Sequence, residues 1–468
     1  MQKPSLIYQY LAAIVVGLFK LSDGMLIGWV SPNLILLQSN NTILPEPLTE
    51  DQASWLPTIM PIGALAGILV YGFVTKLFGR KIPQLLVSIP AIIGWFLCCF
   101  ARDVSHLYLS RFFLGFAIGG SYVVAPVFLV EIADDRIRGI LGATIMVSEN
   151  TGVLLGFAIG GFCDYQVLPA VGITLNLLSV ILFVWFPESP PFLVSQDKMV
   201  AAEKSIRFYR NLRIDDTAAV EETMEHLKQA VAEAQGNVNT SRLRMSDVTT
   251  RPGSRAMLIA IVLVLLNQFS GIFTLMNYSA EIFQQSGSLL SENLSSVIVQ
   301  SIQAIGACFV AVIIEKGGRR FLYITSALGC GFGYAVLGTY MYLLSEKSDI
   351  SSFSWVPLAS FSFILFISSW AVASITFSVA AELMPLKLRE IGATVCAVTL
   401  SLSSFSILKV YPIVLKWIGV HGAMFIFGGF CVLGAIFIIF MLPEIKGKSY
   451  EEIMNDLRGK RQIKEVVE

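Results

Sequence analysis

Apolar residues along this chain gather in long blocks. The first set lies near residues 8–30, 55–76, 82–101, 106–130, 140–162 and 166–187. A second set lies near 256–284, 293–314, 320–344, 354–381, 390–416 and 422–442. Most blocks match the roughly 20 residues that a bilayer-spanning helix requires. Between the sets, Asp197 to Arg255 is polar and charged. Apolar positions recur there at helical spacing, as in Ala201-Ala202-Glu203-Lys204-Ser205-Ile206-Arg207-Phe208, and Glu221, Glu222, Glu225 and Lys228 continue the pattern. That stretch reads as a solvated helical linker. The pattern predicts an all-α membrane protein with 12 transmembrane helices in two pseudo-symmetric six-helix bundles. The first bundle covers 1–187, the cytoplasmic helical linker 188–255, the second bundle 256–442 and a short cytoplasmic tail 443–468. Met1 to Lys20 lacks a basic leader with a small-residue cleavage site and reads as the entry to the first span.

Composition supports the membrane assignment and removes other classes. Of 468 residues, 55% are hydrophobic and 14% charged, against about 25% charged in soluble domains. The formal net charge is zero, which argues against a nucleic-acid partner. Of the seven cysteines, all but Cys163 sit inside apolar runs, and the three histidines are scattered. Neither a disulfide framework nor a metal site is expected. The chain has no phosphate-binding Gly-rich loop with Lys-Ser/Thr, no metal-ligand cluster and no nucleophile elbow. No enzyme activity and no cofactor are therefore expected.

Basic residues in short loops set the orientation. Lys76, Arg80 and Lys81 follow the second run, Arg136 and Arg138 the fourth, Lys316, Arg319 and Arg320 the eighth, and Lys387 and Arg389 the tenth. The loop from Gln38 to Ser54 carries no basic residue but has Glu46, Glu50 and Asp51. Both termini are expected in the cytoplasm of an integral plasma-membrane protein. Asn40 and Asn293, each heading an N-glycosylation sequon, then fall outside. The Asn239 sequon falls in the linker and stays unmodified.

Three loop signatures occur twice and in order. Gly79-Arg80-Lys81 after the second run matches Gly318-Arg319-Arg320 after the eighth. Glu131 stands seven residues before Arg138, and Glu382 stands seven before Arg389. The first set exits through Pro187-Glu188-Ser189-Pro190, the second through Pro443-Glu444. The offsets are 239, 251 and 256 residues, drifting only slightly. A duplicated six-helix unit is the arrangement of parallel-repeat carriers that rock about a central site.

These residues resemble the sugar porter family of the major facilitator superfamily, closest to its insect-type facilitated trehalose transporter-like group. Further marks are Gly28-Trp29-Val30-Ser31-Pro32, Arg111 with Gly115 and Gly119, Pro126-Val127, Gln268-Phe269-Ser270-Gly271 and Lys446-Gly447-Lys448-Ser449. The resemblance implies the major facilitator fold, alternating access and a sugar or polyol as small-molecule substrate, with the lipid bilayer as surroundings and a monomer as the working form. Several sugar contacts usual in the family are replaced. Met146, Asn267, Phe273, Gln303, Phe377 and Leu400 stand where the family has other residues, so the specific sugar is left open.

Charge pairs at a bundle rim can act as a gate because an exposed pair contributes only roughly 0.2–1 kcal/mol and breaks readily. The expected cytoplasmic gate comprises Arg80, Lys81, Glu131, Arg138, Glu315, Arg319, Arg320, Glu382 and Arg389. Glu131 is expected against Arg80 or Arg138, and Glu382 against Arg319, Arg320 or Arg389. Lys76 replaces an acid usual in the family and Asp134 a proline, so the first-half latch is expected to be the looser. Sugar recognition needs amides, hydroxyls and an aromatic face. Asn267, Gln268, Thr274, Asn277, Gln303 and Phe377 are the candidate substrate-binding residues; Asn267, Ser270, Thr274 and Asn277 share one side of a continuous seventh helix. The tenth run has Ser374 and Thr376-Phe377 where prolines flank a tryptophan in the family. It is expected to be straighter than its relatives, with any hinge near Ser368-Ser369 or Ser378.

Three ionisable residues lie inside apolar runs. Lys20 and Asp23 are three apart in the first, and Glu149 lies in the fifth. Asp23 and Glu149 are candidates for proton coupling, although Lys20 can neutralise Asp23 within one turn. Facilitated diffusion is the expected mode. A proton symporter is the rival on the same scaffold, and a non-transporting nutrient sensor is the rival of another class.

Overall fold

The computed structural model describes residues 6–134, 136–212, 216–240, 250–385, 388–446, 448 and 450–458, and the description below is limited to them. Side chains of 310–316 lie outside it, which removes Glu315 from the gate geometry; Lys387, Gly447, Ser449 and the sequon residue Ser241 are also outside. The chain divides into two compact units, Met1–Trp29 with Leu36–Arg242, and Val30–Ile35 with Leu243–Glu468.

The first unit contains α1 (Ile7–Gln38) apart from its Val30–Ile35 stretch, α2 (Glu50–Phe78), α3 (Lys81–Cys99), α4 (Val104–Ile132), α5 (Arg138–Phe162) and α6 (Val167–Phe183). The short α7 (Pro190–Ser195) and the linker helices α8 (Met199–Arg210) and α9 (Thr217–Thr240) follow. The second unit contains α10 (Arg251–Phe269), α11 (Ile272–Ser286), α12 (Glu292–Gly317) and α13 (Arg319–Ser345). It continues with α14 (Val356–Ser368), α15 (Thr376–Leu383), α16 (Arg389–Met441) and α17 (Tyr450–Arg458). Among the described residues, nine helical runs are long and apolar enough to cross a bilayer, and α6 is a shorter apolar helix.

Lipid tails are as apolar as leucine, so burial alone does not draw these helices together; close packing must. In the first unit glycine provides it. A Cβ on Gly24 would stand 2.0 Å from the Glu149 carbonyl, and one on Gly152 would stand 2.1 Å from the Leu21 carbonyl. Gly28 and Gly156 repeat this contact one turn along, so α1 and α5 touch backbone to backbone. The α2–α4 pair uses Gly63, Gly67, Gly115 and Gly119 in the same way, with distances of 2.1–2.3 Å. Polar clamps add direction. Ser22 of α1 accepts from Trp95 Nε1 of α3 at 3.0 Å and from Asn176 Nδ2 of α6 at 2.7 Å. Buried Arg111 of α4 donates to the Leu26 and Leu56 carbonyls and lies over the Trp29 ring.

The linker helix α8 packs on the first unit. Its Ser205 and Tyr209 donate to the carbonyls of Glu188 and Pro187 at 2.6 and 2.8 Å. Burial, with Glu188 near, holds the Tyr209 phenol well above its usual pKa, so it remains a donor. Large apolar side chains such as Trp185, Trp417 and Phe440 stay about four-fifths exposed, as lipid-facing residues do.

Two helices of the second unit are broken, one against the sequence expectation and one where a hinge is expected. The seventh span is not continuous, because Gly271 at φ +76° ends α10 and α11 starts at Ile272. The helical spacing that placed Asn267, Ser270, Thr274 and Asn277 on one face therefore does not apply across the break. The tenth span breaks at Ser368-Ser369, one of the two places where a hinge is expected. It is interrupted after Ser368 and resumes at Thr376. Ser368 and Ser369 both donate to the Leu365 carbonyl at 2.9 Å, and such back-bonding offers the backbone an alternative to the helical ladder. The eleventh and twelfth runs are both in α16, kinked at Gly419, where φ is +68°.

Substituting Gly152→Val is expected to lower the melting temperature of the detergent-purified protein and its folded yield, since inserted bulk in a tight contact costs about 1–3 kcal/mol. Gly142→Val, on the same helix but with nothing within 4 Å of its Cβ, should leave both unchanged. Differential scanning fluorimetry of the two variants decides it.

Candidate functional site

The duplicated loop signatures build the same structure twice, once in each unit. Gly79 at φ +87° turns the chain out of α2, and the first two amides that follow point at one carboxylate. Arg80 N–H and Lys81 N–H donate to Glu188 at 3.0–3.2 Å. A Cβ on Gly79 would stand 2.4 Å from Glu188 Oε2, so both the backbone conformation and the carboxylate's approach require glycine. In the second unit Gly318 has φ +76°, and Arg319 N–H donates to Glu444 Oε1 at 3.0 Å. Each carboxylate thus sits at a helix N-terminus, α3 or α13, where anions are favoured. Sequence reasoning used Glu188 and Glu444 only as markers of the exit motif; their recurrence after proline was the signal that could have identified them.

The flanking arginines complete each cluster differently. Arg80 donates through Nε and Nη2 to Glu131 Oε1 at 2.9 and 2.8 Å, and Ser189 Oγ donates to Glu131 Oε2 at 2.5 Å. Arg80 Nη1 also caps the Thr75 carbonyl at 2.8 Å. Arg319 lies 3.5 Å from Glu382, which also accepts from Ser378 Oγ at 3.2 Å. Glu131 receives a guanidinium and a serine hydroxyl together, whereas the Glu315 side chain of the second half lies outside the described residues. Lys81 Nζ turns away to the Val184 carbonyl, and Arg320 donates to the Ile439 carbonyl. Arg138 and Arg389 are exposed.

The sugar-contact candidates of the second unit separate into two groups. Asn267 Nδ2 donates to the Val372 carbonyl at 2.6 Å, in the break between α14 and α15. Gln268 Nε2 donates to Asn267 Oδ1 at 2.8 Å, while Gln268 Oε1 accepts from Ser404 of α16 at 2.9 Å. These two amides are consumed in holding α10, the helix break and α16 together. Asn277 Nδ2 is likewise satisfied by the Phe273 carbonyl one turn back. Gln303 is different. Its Nε2 reaches only Met276 Sδ at 3.8 Å, and its Oε1 is buried without a partner. Thr274 Oγ1, Tyr278 Oη, Gln300 Nε2 and Trp370 Nε1 are also buried and unpartnered. Buried polar atoms are rarely left unsatisfied, and such a set suits a polyhydroxylated ligand. Trp370 and Ser404 were missed by sequence reasoning. Phe377 is 45% exposed on α15 and is not part of either group.

Asp23 and Glu149 do come together. Asp23 Oδ2 lies 3.2 Å and Glu149 Oε2 3.7 Å from Lys20 Nζ in the first unit. Of the two sequons expected outside, Asn40 is exposed at a turn. Asn293 lies in the first turn of α12, with its sequon serine, Ser295, fully buried.

Comparison with known proteins agrees with this geometry. The family described as "Sugar (and other) transporter" matches residues 11–457. The chain is 31% identical over 458 residues to the facilitated trehalose transporter Tret1 of Polypedilum vanderplanki, covering 98% of this chain and 90% of that protein. It is 30% identical to Tret1 of Culex quinquefasciatus, covering 97% and 86%. Its fold matches the xylose transporter XylE of E. coli in an inward open conformation, with TM-score 0.77 at 20% identity, covering 96% and 99%. With a family match over nearly its whole length and the major facilitator fold to carry it, this chain is a membrane-embedded member of the sugar transporter family.

Proposed function

We propose that this protein carries trehalose, a hexose or a related polyol across the plasma membrane by facilitated diffusion, as a monomer with both termini in the cytoplasm. The observation that carries the choice of a polyhydroxylated substrate is the set of buried, unpartnered polar atoms on α11, α12 and the α14–α15 break: Thr274 Oγ1, Gln300 Nε2, Gln303 Oε1 and Trp370 Nε1. A carrier must alternate between protein–water and protein–sugar hydrogen bonds, and groups not already paired within the protein do this at least cost. The full-length relatives named facilitated trehalose transporters support the substrate class. Asn267, Gln268 and Asn277 have a supporting role in this reading, holding the broken helices in register. The two Arg–carboxylate clusters act as rim latches on the cytoplasmic face, each bracing its own unit's loop.

Uptake of labelled trehalose, glucose and a polyol into oocytes tests the reading. Saturable uptake that reaches equilibrium without concentrating, at both acidic and neutral external pH, is expected for at least one of them. Concentrative uptake driven by acid outside would replace uniport with proton symport. Gln303→Leu should raise KM by about tenfold, the equivalent of one hydrogen bond to sugar, with little change in maximal rate. An unchanged KM would remove Gln303 from the binding set.

The latches make a separate prediction. Arg80→Met removes two hydrogen bonds to Glu131 at 2.8–2.9 Å, whereas Arg319→Met removes one contact at 3.5 Å. Arg80→Met should therefore reduce the maximal transport rate more, with KM nearly constant. Equal effects, or a larger one from Arg319→Met, would show that pair geometry does not set the latch.

A further inference from the structure

Helices α1, α4 and α5 bring a compact group of polar side chains together within the first unit. Lys20 Nζ has no exposed surface and lies 3.2 Å from Asp23 Oδ2 and 3.7 Å from Glu149 Oε2. It stands 4.0 Å from the centroid of the Tyr122 ring, over its face. Tyr122 Oη donates to Glu149 Oε1 at 2.6 Å, and Ser121, fully buried, faces Asp23 from α4. Lys20, Asp23, Tyr122 and Glu149 are the titratable groups that face one another here, from all three helices. Neither Lys20 Nζ nor Asp23 Oδ2 makes a hydrogen bond of good geometry, so charge and the aromatic face hold the ammonium. The glycine contacts make this arrangement hard to avoid. Gly24 of α1 packs on the Glu149 carbonyl, leaving the two helices no room to separate and solvate the charges.

Two carboxylates, a hydroxyl and a ring face around one positive charge are the surroundings of a bound monovalent cation. Lys20 pairs with Asp23 at 3.2 Å, while Glu149, whose side chain is 19% exposed, accepts from Tyr122 and lies 3.7 Å from the ammonium. We infer that Asp23, Glu149, Ser121 and Tyr122 form a monovalent-cation site whose resident ion is the protein's own Lys20 ammonium. A carrier with its cation covalently attached has no need of one from solution. This inference rests on the facilitated-diffusion reading and gives its physical reason. It also implies that removing the lysine charge opens the site to an external cation, a proton or sodium.

The experiment compares full-length wild type, Lys20→Met and the triple variant Lys20→Met/Asp23→Asn/Glu149→Gln, each purified in detergent. Melting temperature is read in sodium chloride and in N-methylglucamine chloride, at neutral and acidic pH. Lys20→Met is expected to melt several degrees higher with sodium or acid than in N-methylglucamine at neutral pH. Wild type and the triple variant should show no sodium effect and no comparable acid gain. A response to sodium at neutral pH identifies sodium as the replacement ion; a response to acid alone identifies the proton. In proteoliposomes, sugar uptake by Lys20→Met should fall about tenfold without the replacement cation, as when one partner of a buried ion pair is lost, and recover with it. The triple variant should transport without cation dependence.

Insensitivity of folded Lys20→Met to both cations overturns the inference. If Lys20→Met does not fold, Lys20→Met/Glu149→Gln, which keeps Asp23, is read in its place; a cation response supports the site and insensitivity overturns it. Absence of sugar uptake by wild type defeats the proposed function, while the melting comparison still decides the cation site.

Discussion

Close backbone contact between α1 and α5, and between α2 and α4, is the constraint on which the first unit depends. Within a bilayer neither water exclusion nor long side chains can draw helices this near, and dispersion between touching backbones must supply the attraction. Gly24, Gly28, Gly152 and Gly156 permit it on one pair, and Gly63, Gly67, Gly115 and Gly119 on the other. Once α1 and α5 touch, the charged residues beside the glycines have few places to go. Lys20 and Asp23 lie on the buried side with Glu149 next to them, and an uncompensated charge there would be costly. The ion cluster is thus a consequence of the packing as much as an addition to it.

The two units share a plan and differ in how they are stiffened. Both set a carboxylate against the first amides of a helix that follows a left-handed glycine, Glu188 at Gly79 and Glu444 at Gly318. This pairs otherwise orphaned helix-terminal donors with a charge that the helix end favours. Beyond that the halves diverge. The first adds glycine-mediated contacts and a three-part cluster at Glu131. The second breaks two of its helices, at Gly271 and after Ser368. Breaks release backbone groups into the interior. The Val372 carbonyl, freed this way, accepts from Asn267 and from Thr376. Irregular backbone at membrane depth is tolerated where it is buried in protein or lines a polar cavity, and the unpartnered Trp370 Nε1 lies in one such break.

The same division of labour separates amides that hold from amides that wait. Asn267 and Gln268 are spent on neighbouring groups, while Gln303 Oε1 and Gln300 Nε2 are not. Residue type could not distinguish them, since all four can both donate and accept. What differs is whether a carbonyl or hydroxyl from another helix comes within reach. For Gln268 it is Ser404, 136 residues away; for Gln303 only a thioether does so.

Membership of a membrane class, the positions of the apolar runs, the duplication and the loop motifs were all legible in the chain alone, because lipid solvation is a local property of about twenty consecutive residues and loop charge is local too. The reciprocal glycine pairs were also present in the sequence, at Gly24 with Gly28 and at Gly152 with Gly156, but nothing local said that they face each other. Tertiary structure decided the rest. It set Arg80 against Glu131, broke the seventh span at Gly271, and joined Glu149 to Lys20. Each of these depends on distances between atoms far apart in the chain, and helical periodicity specifies a face without specifying what that face will meet.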